Sequence, residues 1–540
     1  MNQPPKGHPS LPATALFEAG LKARQQEQLD AAAAHYNRAL LLHQLDQTEA
    51  ASLSLAQSLN GPVVTPTLRS QVLQMQALLQ DEAGDLERAV QTLEQALALA
   101  PSRAALHHNR AVLLQRLARP GEALAAHDRA LALGLVAPDA HYNRGNSLQS
   151  LGRSAEALAA YREALRLEPL HALALYDSAR LRWRLGEPAF TVDLDVSAAA
   201  APLSALPLGI KGRLLLRAER YEDAAAAFGA AAVLADAVPG YFDGMGQALG
   251  RLGRQEASLA AHERAVALAP QQAATHIGLA TGLLLAGQVE RAAQVAETAV
   301  RLDPLDQQAW ATLGLAWRAT AHPGQHWLDD YAQHVQTYDL PPPEGWTDMA
   351  SFNRALAAAL QALHTDAQAP IDQTLRHGSQ TMDNIFDQGH PLVEQLKGRI
   401  AQAVDCYIAH IDSLPEDDSH PLRGRTSRRW RFTDSWSSRL RSSGFHTNHV
   451  HGHGWISSCY YVALPPVMTQ GTGADAQRPG WISFGTPDIA IPGCDLSARR
   501  QERPQAGRLV LFPSYMWHGT LPFTDTQPRL TIAFDVMPLD

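Results

Sequence analysis

Residues 445–462 read FHTNHVHGHGWISSCYYV, and four histidines, His446, His449, His451 and His453, fall within eight positions of one another. His449 and His451 stand at i and i+2, so on an extended chain they share a face. Imidazole nitrogen suits iron, copper, nickel and zinc, and four histidines beside an apolar strand are a ligand pattern rather than a packing pattern. The run Trp455–Leu464 that follows is rich in aromatic and β-branched residues, which predicts a strand.

A second chemical segment lies downstream. Residues 507–536 read GRLVLFPSYMWHGTLPFTDTQPRLTIAFDV. A strand over Arg508–Phe512 ends at Pro513, His518 follows the turn, and Arg529 opens a last strand, Arg529–Val536, with Thr531 on the same face. A buried guanidinium is suited to clamp a dicarboxylate through two parallel hydrogen bonds, and a neighbouring hydroxyl adds one more. Asp535 shares the parity of Arg529 and is a candidate ion-pair partner for it. Trp430–Leu440 and Trp481–Phe484 are further strand candidates. In the former the even positions are mainly apolar, which predicts a half-buried strand with Arg431 and Arg439 on the solvent or substrate side. Helical spacing marks Met349–Leu363 and Pro391–Ile411. Short strands separated by Gly/Pro turns suggest a jelly roll or related sandwich.

These segments resemble the 2-oxoglutarate/Fe(II) oxygenases, whose pattern is H-x-D/E, a distant His, then Arg or Lys about ten residues on. NHVHGHGWISSCYYVALP and LFPSYMWHGTLPF…PRLTIAFDV are similar to a bacterial and phage subgroup often fused to helical repeats. So is TLRHGSQT, residues 374–381, and the resemblance spans roughly residues 350–540. It implies a double-stranded β-helix (jelly-roll) domain with flanking helices over 341–540. It implies Fe(II) on His449, His451 and His518, and 2-oxoglutarate held by Arg529, Thr531 and Tyr461. Where the common triad has a carboxylate, this chain has His451. The ligand set is therefore either three histidines or His449 and His518 with water, as in aspartyl/asparaginyl hydroxylases. His446 and His453 would stand behind the ligands or on the substrate side.

Upstream the texture is different. Ala77, Ala111, Gly145 and Ala179 are spaced by 34 residues, and after one step of 33 so are Gly212, Gly246, Ala280 and Gly314. Further in-frame alanines and the prolines Pro101, Pro169, Pro270 and Pro304 accompany them. Thirty-four is the tetratricopeptide-repeat (TPR) period. Gly20, Ala32, Tyr36 and Ala39 fit an earlier repeat, and the pattern degenerates around 187–207. The expectation is an α+β multidomain chain: an N-terminal all-α TPR solenoid over residues 1–340, then the jelly-roll domain. TPR arrays usually hold peptides or proteins on their concave face. Asn109 and Asn143, with Asp177 next in frame, resemble the start of the asparagine ladder of O-GlcNAc transferases.

The implied function is a dioxygenase that hydroxylates a peptide or protein recruited by the repeats. The other readings are a non-catalytic scaffold with a ligand-binding jelly roll, or a cupin-like metalloenzyme that does not use 2-oxoglutarate. The 540 residues carry a net charge of −9, which gives no support for nucleic acid or an anionic membrane as partner. No long apolar run suggests a membrane span, and the opening segment MNQPPKGHPS has no signal-like apolar stretch. Cys406, Cys459 and Cys494 form no disulfide or zinc pattern, so they read as buried free thiols in a cytoplasmic protein.

Overall fold

The small residues of the 34-residue frame make room for rings. Sixteen positions after the marker stand Leu93, His127, Tyr161, Phe228 and His262. A Cβ placed on Gly145 would lie 2.5 Å from the Tyr161 ring, one on Gly212 2.9 Å from Phe228, and one on Gly246 2.7 Å from His262. The two helices of a repeat therefore cross with the ring of the second seated on the backbone of the first. This is the close approach that a side chain at the marker would prevent.

In this computed structural model, residues 31–59, 65–364, 369–381, 384–470 and 478–539 are described. Gly20 lies outside them. The chain forms two compact units, Met1–Ser178 and Ala179–Asp540. Helix pairs follow the repeat frame, from Pro66–Glu82 with Leu86–Leu99 to Ala273–Leu285 with Val289–Leu302 and then Gln307–Ala319. The first helix of each pair ends on a left-handed residue: Gly84, Ala118, Gly152, Gly186, Glu219, Gly253, Gly287 and Ala321. That series runs unbroken through 187–207, which is a repeat whose second helix is cut to Val192–Ala200. Arg182 Nε donates to Asp193 Oδ2 at 2.8 Å to pin it.

The second unit also holds all nine described strands, in two antiparallel sheets. In chain order they are β1 (Gln336–Asp339), β2 (Leu375–Gln380), β3 (Trp430–His446), β4 (Ile456–Ala463), β5 (Ile482–Phe484), β6 (Arg500–Glu502), β7 (Arg508–Pro513), β8 (His518–Thr520) and β9 (Arg529–Pro538). The large sheet runs β1-β7-β4-β9-β3-β2 and the small one β6-β5-β8, with Phe484 edge-on to Phe512 at 5.0 Å across them. This is the α+β architecture expected of a helical-repeat array followed by a jelly roll. TLRHGSQT becomes β2. His377 takes a positive φ of 54° at a register shift, and a Cβ on Gly378 would lie 2.4 Å from the Arg439 carbonyl oxygen.

The outer face of the large sheet is covered by Met349–Gln361 and Pro391–Asp412. The latter starts on a His390 cap with Pro391 in its first turn. It buries Val393, Leu396, Ile400, Val404, Tyr407, Ile408 and Ile411, one stripe at i, i+3/i+4 spacing. Each large side chain buried there contributes about 1.5–3 kcal/mol before entropy is counted. The half-buried reading of β3 fails in the middle of the strand. Ser435 and Ser437, at odd positions, are buried against residues 384–386 and His364 and hydrogen-bonded: Ser435 Oγ donates to Asn384, and Ser437 Oγ lies 3.1 Å from His364 Nε2. Around Ser435–Ser438 the strand is covered on both faces, and serine fits where a partner is fixed. Arg431 is exposed as expected, whereas Arg439 is partly buried on the outer face. Of the three free cysteines only Cys459 is buried; Cys406 is exposed and Cys494 intermediate.

Late repeats and sheets share core within the second unit. Ile489 and Ile491, in the β5–β6 connection, pack with Leu279, Leu283, Leu284 and Leu315. Arg318 donates to the backbone oxygens of Gly485 and Ser497, and Gln307 N donates to Gly452 O at 3.0 Å.

Candidate metal centre and anion pocket

His449 follows the end of β3 and bridges to β8, with His449 N to His518 O at 2.9 Å and His518 N to His449 O at 3.0 Å. His451 is two residues on, in the turn before β4, its backbone N–H donating to Ser514 O at 3.0 Å. The three ring centroids lie 4.2–5.2 Å apart. One ligand atom from each histidine falls within 4.8 Å of the others.

The Nδ1 atoms explain this convergence. His449 Nδ1 is 2.8 Å from Thr447 O, His518 Nδ1 is 2.9 Å from Met516 O, and His451 Nδ1 is 2.7 Å from both oxygens of Asp535. A carbonyl or carboxylate only accepts, so each Nδ1 carries the proton and each Nε2 lone pair is left for a metal. The Nε2 atoms of His449 and His451 stand 3.2 Å apart. Metal–nitrogen bonds of about 2.1 Å at roughly 90–110° place donors about 3.0–3.4 Å apart, so the pair fits one ion. Three ligands on one side leave the remaining positions open to substrate.

Electrostatics agree with this donor set. Burial pushes His449 down to about 3, and burial together with the neighbouring His449 and His451 holds His518 well below the usual range. Neutral imidazole is the form a metal takes. Burial also opposes protonation of His451, but the Asp535 carboxylate outweighs it by charge and hydrogen bond, and that pKa is raised. Asp535 is thus not the partner of Arg529. Six residues along β9 separate them, about 20 Å of strand. Asp535 instead completes a carboxylate–histidine pair and accepts from Ser457 Oγ at 2.7 Å. Asp535→Asn should weaken metal binding about 10–100-fold with little change in thermal stability, read by titration with Co(II).

The inner face of the large sheet continues from the histidines. Strand registers place Arg529, Thr531, Ala533 and Asp535 of β9 on it, with Ser457, Cys459 and Tyr461 of β4 and Trp436, Ser438 and Leu440 of β3. Arg529 is 1% exposed, its guanidinium carbon 5.2 Å over the Tyr461 ring, and among the described residues no carboxylate pairs with it. Its Nη2 is 3.7 Å from Cys459 Sγ and the buried Tyr461 hydroxyl lies beside it, while Nε and Nη1 have no hydrogen-bond partner. A buried cation left so costs several kcal/mol, so the pocket is built for an anion. Thr531 is buried beside it.

His446 closes β3 with Nδ1 3.3 Å from Thr374 Oγ1 and its ring 6.4 Å from that of His449, whereas His453 is exposed. Trp436 lies 5.8 Å from His451 and Phe512 4.5 Å from His518, ring centre to ring centre, as an apolar wall. The inward alternation of β3 and β9 is the sequence signal that could have found Trp436 and the role of Asp535.

The comparisons with known proteins find the repeats and the C-terminal sheets separately. Residues 70–103, 138–170 and 277–320 match tetratricopeptide-repeat families. Residues 434–535, which include the three histidines and Arg529, match the family described as "Putative 2OG-Fe(II) oxygenase". No curated protein matches the chain. Among solved structures, yeast Tom70 is similar over 61% of this chain and 68% of its own, at 16% identity and a TM-score of 0.37. A tetratricopeptide-repeat protein from Parabacteroides merdae is similar over 46% and 98%, at 20% identity and a TM-score of 0.31. The first repeat domain of Spaghetti (RPAP3), solved with an HSP90 peptide, is similar over 22% and 95%, at 23% identity and a TM-score of 0.22. The chain thus carries tetratricopeptide repeats and, toward its C-terminal end, a segment that matches the 2OG-Fe(II) oxygenase family.

Proposed function

We propose that this protein is an Fe(II)- and 2-oxoglutarate-dependent dioxygenase that hydroxylates a peptide or protein. In this reading residues 1–340 recruit the substrate and residues 341–540 carry the chemistry. The observation that carries it is the pairing of three Nε2 donors with an unpaired, buried guanidinium on one sheet face. His449, His451 and His518 hold the ion, and Asp535 orients His451. Arg529 receives the distal carboxylate of 2-oxoglutarate, with the Thr531 and Tyr461 hydroxyls beside it. Trp436, Phe484 and Phe512 exclude water. Bound there, Fe(II) and 2-oxoglutarate would supply, with dioxygen as the oxidant, an oxidative decarboxylation to succinate and carbon dioxide coupled to hydroxylation of a C–H bond, one oxygen atom going to each product.

Asn109 and Asn143 are half-buried on the first helices of their repeats, Ala104–Arg116 and Pro138–Ser150, which are the helices that line the groove in TPR arrays. They would bond the backbone of an extended peptide. Free thiols suit a cytoplasmic setting. Among the described residues no helix is long and apolar enough to cross a membrane. The test is turnover of a peptide library with Fe(II) and 2-oxoglutarate. Succinate should form only with oxygen present. Tight Fe(II) binding with no affinity for 2-oxoglutarate would instead favour the cupin-like reading.

A further inference from the structure

Four adjacent strands bring one residue each to a single tier of the inner face. In register across β2, β3, β9 and β4 these are Gln380, Ser438, Thr531 and Tyr461, paired Gln380 with Ser438, Ser438 with Thr531, and Thr531 with Tyr461. All four are buried, at 8%, 1%, 3% and 0% exposure. Arg529 stands two residues from Thr531 on the same side of β9. Two residues of this tier already belong to the proposed anion pocket; Ser438 does not.

Ser438 Oγ is buried and has no hydrogen-bond partner, as are Arg529 Nε and Nη1. The contrast along its own strand is instructive. Ser435 and Ser437, on the opposite face, are both hydrogen-bonded to protein groups. A buried hydroxyl without a partner loses its hydration and gains nothing, so alanine would be the better residue there if packing were its only task. A hydroxyl kept unpaired beside an unpaired guanidinium is explained if both meet the same absent ligand.

We infer that Ser438 is a further binding residue of the co-substrate pocket, donating its hydroxyl proton to the distal carboxylate from the β3 side while Thr531 and Tyr461 approach from β9 and β4. The inference rests on the reading of Arg529 as the carboxylate clamp. It predicts a pocket for a dicarboxylate: each oxygen of the distal carboxylate accepts one N–H of the guanidinium fork, and the remaining lone pairs accept from the hydroxyls.

The test is 2-oxoglutarate binding to the full chain by calorimetry in the presence of Mn(II), without oxygen-dependent turnover, together with the unfolding temperature of each variant without ligand. Ser438→Ala should bind 2-oxoglutarate about tenfold more weakly, the usual effect of losing a hydrogen bond to a charged group. Its unfolding temperature without ligand should be equal to or above that of the parent. Mn(II) affinity should be unchanged, and Ser438→Thr should retain most of the affinity. Pyruvate, which lacks the distal carboxylate, should bind parent and Ser438→Ala alike. Equal 2-oxoglutarate affinity in the parent and Ser438→Ala would overturn the inference, and so would a variant that lost affinity only in proportion to lost stability. If the parent itself bound no 2-oxoglutarate, the co-substrate reading would fall first, and Ser438 with it.

Discussion

His518→Ala and His449→Ala are each expected to lose Fe(II) binding by more than a hundredfold. Changes to the groups that support metal-binding histidines already cost about 10–100-fold, and removing a donor atom outright exceeds that. Both side chains are held by backbone carbonyls, Met516 O and Thr447 O, so each alanine removes a donor nitrogen fixed in place. The two variants should stay folded, because the β8 bridge between residues 449 and 518 is made by backbone atoms. Anaerobic Fe(II) titration with circular dichroism as a control reads both outcomes. His451→Ala is the informative third case. If His451 is a ligand, its loss should match the other two; retained affinity would leave His449 and His518 with water in the third place. Either variant of the first pair binding like the parent would remove that residue from the centre.

Arg529→Ala carries the other large effect. Removing one partner of a buried, hydrogen-bonded charge pair costs about 3–5 kcal/mol. At tenfold per 1.4 kcal/mol, affinity for 2-oxoglutarate should fall on the order of a hundredfold or more. Fe(II) affinity should survive, since Arg529 supplies none of the three nitrogen donors and stands six residues along β9 from the Asp535 that supports His451. Arg529→Lys should fall between, because lysine keeps the charge but loses the planar fork. The effect on the free protein is also predictable: removal of an unpaired buried cation should not lower the unfolding temperature. Unchanged 2-oxoglutarate affinity in Arg529→Ala would refute the clamp and favour a metalloenzyme of another class.

The histidine spacing, the 34-residue frame and the strand alternation are local properties, and each produced a local feature at the expected place. H-x-H needs only an extended backbone to aim two imidazoles the same way. The repeat period needs only a small residue wherever a ring must cross a helix, as Gly145 does under Tyr161. Strands β3, β4, β7 and β9, and the short β5, were legible from β-branched and aromatic content. Strands β1, β2, β6 and β8 were not: three or four residues carry too little pattern, the six of β2 are mostly polar with a glycine among them, and all four exist because a neighbour offers backbone partners.

Partner choice was decided by tertiary structure. Parity alone put Asp535 and Arg529 on one face and invited an ion pair. Strand rise separates them, and the turn that carries His451 delivers its Nδ1 to Asp535 instead. Ser435 and Ser437 hold the polar positions of the β3 alternation, yet both are buried and take partners from Asn384 and His364, which lie in connections outside the helices. The texture of the chain changes at Pro341-Pro342-Pro343, a sequence property, yet the compact units part at Ser178 and Ala179. The reason is apolar burial between segments far apart in sequence: Ile489 and Ile491 find Leu279, Leu283 and Leu315, and no local pattern encodes which apolar surfaces will meet.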